Sequence, residues 1–117
     1  MKNIFSSLLL VLLTSLASLS IAHADECYEP AAPIIPDGNV ASEDELVAAQ
    51  KAIKIYQTSL IDYRTCLDEA GAGLDPENED DQKVAADLSS RYNASVAAET
   101  QVADEFNVAV RAFKARQ

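Results

Sequence analysis

Between Leu46 and Leu67, apolar residues recur at steps of 3, 4, 3, 4, 3 and 4: Leu46, Ala49, Ile53, Tyr56, Leu60, Tyr63 and Leu67. A strand would repeat every second residue, so this spacing predicts a helix with one apolar seam held over about six turns. The start is marked as well. Ser42 with Glu45 three residues later is a capping box, and Glu43, Asp44 and Glu45 place acid in the first turn, where the helix dipole favours it. Gly71 and Gly73 supply stop and loop residues. The first helix is therefore expected over about 42–70.

A second helix is expected over about 77–115. Asp75 followed by Pro76 is helix-entry chemistry. Acid gathers at the start (Glu77, Glu79, Asp80, Asp81) and base at the end (Arg111, Lys114, Arg116), as the dipole prefers. The apolar seam reads Ala85, Leu88, Tyr92, Val96, Ala103, Phe106, Val110 and Phe113, with polar Glu99 where a seam residue is due. Glu79 with Lys83, and Asp87 with Arg91, stand four residues apart and are expected to pair. Two long amphipathic helices joined by a short connector predict an all-α fold, an antiparallel two-helix hairpin over 42–117.

Two helices make a thin core, and the segment before them is built differently. Pro30, Pro33 and Pro36 fix φ and block a helix, so residues 25–41 read as an extended proline-rich arm that turns at Pro36, Asp37 and Gly38. Cys27 and Cys66 are the two cysteines of the chain. They lack C-x-x-C spacing, and His23, the single histidine, lies in the segment read below as cleaved, leaving none to complete a zinc set, so they predict one structural disulfide. The reach fits. Ser42 to Cys66 spans about 36 Å of helix, and the arm extends to about 46 Å. It can run back along the first helix and be stapled near that helix's far end, with Tyr28, Ile34 and Ile35 expected in the groove. Closing this loop contributes about 4 kcal/mol in the chain-entropy model.

The cysteines imply an oxidising compartment, and the amino terminus agrees. Lys2 gives a positive start, Ile4 to Ile21 is leucine-rich, and Ala22, His23 and Ala24 form a small-large-small cleavage pattern. Residues 1–24 read as a signal peptide cut between Ala24 and Asp25. Serines and a threonine dilute the stretch, which disfavours a retained membrane anchor. Removal leaves 93 of the 117 residues, and the segment takes one of 9 basic residues and none of the 19 acidic ones, so the charge moves from −10 to −11. Such acidity opposes nucleic acid and anionic lipid, whose phosphates call for lysine and arginine.

Cleavage also removes His23, the single histidine. Serine–histidine and cysteine–histidine nucleophile systems then have no base. With three glycines in the chain there is neither a Walker A loop nor a dinucleotide fingerprint, and no cofactor is expected. The acidic run from Asp75 to Asp81 resembles a calcium loop but has Asp80 where that loop needs glycine and Ala86 where it needs glutamate. Catalytic, cofactor-binding and metal-ligating residues are thus all expected to be none. Tyr56, Tyr63 and Tyr92 read as core residues with hydroxyls at the rim, and Asn93, Ala94 and Ser95 form a glycosylation sequon placed unfavourably in mid-helix.

Cys27, Pro30, Pro33, the run Ile35 to Gly38, Ser42 to Leu46, Tyr56, Tyr63, Cys66, Phe106 with Asn107, and Val110 to Phe113 resemble a group of small, uncharacterised exported proteins of Gram-negative bacteria. The resemblance implies a periplasmic location and a helical hairpin, and it implies no activity. The expected role is a non-enzymatic, periplasmic or secreted interaction or structural protein. It would act through an unidentified protein partner or self-association, with no membrane contact after cleavage. The alternative is a small-ligand or cation-binding module in the arm groove or on the acidic face. Val96, Ala97, Val102, Val108 and Ala109 leave the second helix apolar on more than one side, suggesting a second contact surface. On this reading a Cys66→Ser variant melts at a lower temperature than wild type, checked by thermal denaturation under oxidising conditions.

Overall fold

The computed structural model describes residues 26–117; the expected signal segment and its cleavage point, Ala24 and Asp25, lie outside the described residues. Among the described residues there are two helices, α1 (Glu43–Gly71) and α2 (Glu79–Ala115), and no strand. The described fold is all-α.

Helix α1 follows its sequence closely. Ser42 is the N-cap. Its hydroxyl accepts from the Glu45 N–H at 3.2 Å, and the Glu45 carboxylate accepts from the Ser42 N–H at 2.7 Å. These bonds hold the Glu45 carboxyl below the usual carboxylate range. All seven residues of the predicted seam are buried. The far end differs from expectation: no left-handed glycine caps it. Ala72, in the right-handed region, donates its N–H to the Glu69 carbonyl at 3.3 Å, and Gly71 is the last helical residue.

Helix α2 starts at Glu79, within two residues of the expected start at about 77. Asn78 is the stronger cap, its side chain accepting from the N–H groups of Asp80 and Asp81 at 3.0 and 3.1 Å. Asp75 and Pro76 shape the turn before it instead. The Asp75 carboxylate accepts from Glu77 N–H, and the Asp75 N–H donates to the Asp81 carboxylate. Lys83 pairs with Asp80 at 3.0 Å rather than with Glu79, while Arg91 and Asp87 pair at 3.9 Å.

The seam of α2 is the main correction. Ala85 and Val96 are exposed, and the buried residues are Leu88, Ser95, Val102 and Ala109, seven apart each time. Half-buried Tyr92, Glu99, Phe106 and Phe113 fall between them. The whole row steps by 4 and 3 in strict alternation, so α2 carries an unbroken heptad whose register includes a serine and a glutamate. Val102 and Ala109, expected on an outer surface, belong to the core.

The helices pack antiparallel. Gly71 meets Leu88, Arg64 meets Ser95 and Glu99, and Leu46 clusters with Ala109 and Phe113. Ile53, Tyr56, Leu60, Tyr63 and Leu67 of α1 cluster with Leu88 and Val102 of α2, with Tyr92 and Phe106 packed against them, and Leu60 and Ser95 are fully buried.

Residues 27–37 form neither helix nor strand. Cys27 is buried and joined to Cys66, with 5.7 Å between their Cα atoms. Pro30 shares a shallow surface depression with Ser59 and Asp62, and Pro33 and Pro36 share another with Glu45, Ala49 and Ala52. The segment therefore passes α1 from its late turns to its early ones. Ile35 packs against both core clusters. Tyr28 and Ile34, expected in the groove, are 84% and 93% exposed. Cys27 and Ile35 take the inward positions, and their neighbours Tyr28 and Ile34 are left exposed.

A turn closes the segment. The Asp37 carboxylate accepts from the backbone and side-chain amides of Asn39 at 2.9 and 2.8 Å, and these bonds hold its pKa below the usual range. The Asp37 carbonyl accepts from the N–H groups of Val40 and Ala41. Gly38 is buried directly against the backbone of Ala109 in α2, where an added Cβ would overlap the Ala109 carbonyl. Glycine is required here for close approach. A Gly38→Ala variant is expected to lose about 1–3 kcal/mol of stability, measured by denaturant unfolding.

Candidate functional site

Three arginines tie the elements of the molecule together. Arg64 leaves α1 and crosses to α2. Its Nε donates to Ser95 Oγ at 2.8 Å, its Nη2 to Glu99 Oε2 at 2.7 Å, and its guanidinium lies 5.8 Å from the Tyr92 ring centre. Ser95 in turn donates to the Tyr92 carbonyl at 2.6 Å. Each polar group that the heptad draws inward thus finds a partner. Beside this group, burial pushes the Tyr56 hydroxyl pKa up, with the negative charge of Glu29 acting in the same direction.

Arg91 of α2 reaches the start of the segment. Its Nη2 donates to the Cys27 carbonyl at 2.7 Å and its Nε to the Tyr63 hydroxyl at 3.1 Å, with the guanidinium 5.6 Å from the Tyr63 ring centre. Arg116, at the C-cap of α2, holds the other end. It donates to the carbonyls of Gly38 and Ala41 and stacks 4.9 Å from the Phe113 ring centre. The disulfide is therefore one of three attachments, and the two arginine contacts carry no motif that the sequence reading could have used.

The predicted disulfide residues, Cys27 and Cys66, are brought together, and Tyr56 and Tyr63 are buried as expected of core residues. The acids between Asp75 and Asp81 serve the turn and the helix start. Among the described residues, no group of three or more histidine, cysteine or acidic side chains is arranged to hold a metal ion. No described helix is long and apolar enough to cross a membrane.

Two open concave surfaces lie along the flanks of residues 33–39. On the α1 side, Pro33, Ile34 and Pro36 face Ala48, Ala49 and Ala52 across about 470 Å³. On the α2 side the larger groove, about 690 Å³, has an apolar floor from Ile35, Ala97, Val108 and Ala112, and acids Asp37, Asp104 and Glu105 at its edge. Ala97, Asp104, Val108 and Ala112 share one face of α2, turned away from the hairpin seam. The sequence hinted at this second surface through Ala97 and Val108.

Removing the Glu99 carboxylate would leave Arg64, whose side chain is only 15% exposed, without its charge partner. Glu99→Ala is expected to cost about 1–3 kcal/mol. Adding Arg64→Met should recover much of that loss, since the stranded charge goes with it; a double-mutant cycle by denaturant unfolding reads the coupling. No protein-family model, curated protein or solved structure matches the chain.

Proposed function

We propose that the protein is a non-enzymatic interaction or structural module, exported to the periplasm or beyond, whose contact surface is the outward face of α2. In this reading residues 1–24 are the export signal, removed before Asp25. Residues 25–41 are an extended proline-rich arm, stapled to the hairpin by Cys27–Cys66 and held by Arg91 and Arg116. The arm widens a two-helix core and adds a second wall beside α2.

The observation that carries the reading is the concave apolar surface of about 690 Å³ on the outer side of α2, since exposed apolar residues alone also occur on α1 at Ile55 and Ile61. Val96 and Val108 remain 43% and 56% exposed, and Ala97 is exposed beside them, although the core already takes Leu88, Val102 and Ala109. Apolar groups held outside a completed seam favour a contact with something else. The side chains with displaced pKa values have structural explanations: Asp37 forms the turn, Glu45 caps α1 and Tyr56 is buried.

The test places a photo-crosslinking residue at Gln101, between Ala97 and Asp104, and a second at Asp62 on α1, in the full chain expressed in a Gram-negative host. The expected result is a discrete adduct from Gln101 and none from Asp62, on a protein recovered from the periplasm with its amino terminus near Asp25. A strict monomer without an adduct overturns the interaction reading, and an intact amino terminus overturns export.

A further inference from the structure

We infer that the groove between residues 35–39 and α2 takes a cationic amphipathic segment of a partner polypeptide. This deepens the interaction reading and rests on it.

Shape comes first. At about 690 Å³ the groove has room for several aliphatic side chains, and Ala97 and Val108 keep its floor apolar. The α2 residues that line it run from Ala97 to Ala112, about 22 Å along the axis. That length matches roughly four turns of an incoming helix, whose apolar residues at every third and fourth position would lie along the floor.

Charge selects the occupant. Asp37, Asp104 and Glu105 stand at the groove, and no lysine or arginine lines it. Hydrogen bonds from Asn39 keep the Asp37 carboxyl ionised further into acid than usual. The chain as a whole carries −10. Arg64, Arg91 and Arg116 are all engaged in internal contacts. An acidic or neutral apolar segment would strip water from these carboxylates without replacing it. A second copy docked groove to groove would set three acids against the same three. Lysines flanking an apolar face satisfy both the floor and the rim.

The probe is a synthetic helical peptide of about 15 residues, matched to the groove length, with leucine along one face and lysine elsewhere. An isomer with glutamate for lysine is the control. Binding to the full, oxidised chain is followed by fluorescence anisotropy. The lysine peptide is expected to bind saturably, to weaken with added salt, and to outbind the glutamate peptide. Ala97→Gln with Val108→Gln alters the floor without altering charge; it is expected to weaken binding about ten-fold or more with the melting temperature unchanged. Asp104→Lys with Glu105→Lys is expected to reverse the preference between the two peptides.

Absence of saturable binding overturns the inference. So does binding indifferent to the floor variant, which would be surface charge alone. A dimer that dissociates on introducing Ala97→Gln and Val108→Gln, read by sedimentation, makes a second copy the occupant and equally overturns it. If Gln101 still gives crosslinked adducts while the lysine peptide does not bind, the broader interaction reading survives and the cationic partner alone is rejected.

Discussion

The structure depends on two helices closing along one continuous heptad seam. Tyr56, Leu60 and Tyr63 of α1 share one core cluster with Leu88 and Val102 of α2, and Leu46 packs with Ala109 in a second. Two helices bury little apolar surface, so close approach is what makes that surface count. Small residues decide what else can come near. Gly38 reaches the α2 backbone because the residue beneath it is Ala109, and Ile35 then joins both core clusters. The third layer of the molecule follows from the side-chain sizes of the second.

Helix α1 was legible because its chemistry is local. Every seam residue from Leu46 to Leu67 is apolar, and Ser42 with Glu45 marks the start in four consecutive residues. The heptad of α2 is just as regular but could not be followed by hydrophobicity. At Ser95 and Glu99 the register passes through polar residues, and what allows this is Arg64, thirty-odd positions away on the other helix. Following apolar residues moved the seam from Ser95 to Val96, one position round the helix. A strict step of seven from Leu88 would have found it.

The surroundings of residues 27–41 were half legible. The two cysteines announced the disulfide, and of the three apolar residues expected in the groove, Ile35 packs against the core clusters. Tyr28 and Ile34 were misplaced because hydrophobicity alone does not say which side of a stretched backbone faces inward. The anchors from Arg91 and Arg116 were invisible, since they end on backbone carbonyls, which every residue has. The groove depends on all of these placements at once, so the sequence could suggest its floor through Ala97 and Val108 without suggesting its walls.

The choice of arginine for those anchors has a chemical consequence. A guanidinium stays protonated throughout the pH range in which proteins survive, and the carbonyls of Cys27, Gly38 and Ala41 have no charge to lose. The capping carboxylate of Glu45 behaves differently. Its lowered pKa means that its contribution is complete above the ordinary carboxylate range and disappears as acid protonates it. Acid therefore acts on the entry to α1 while leaving the guanidinium-to-carbonyl ties chemically unaltered. Acid also reaches the turn at Asp37, whose carboxyl pKa is lowered in the same way, so the two arginine ties and the covalent bond at Cys66 are the attachments of the amino-terminal segment that protonation leaves in place.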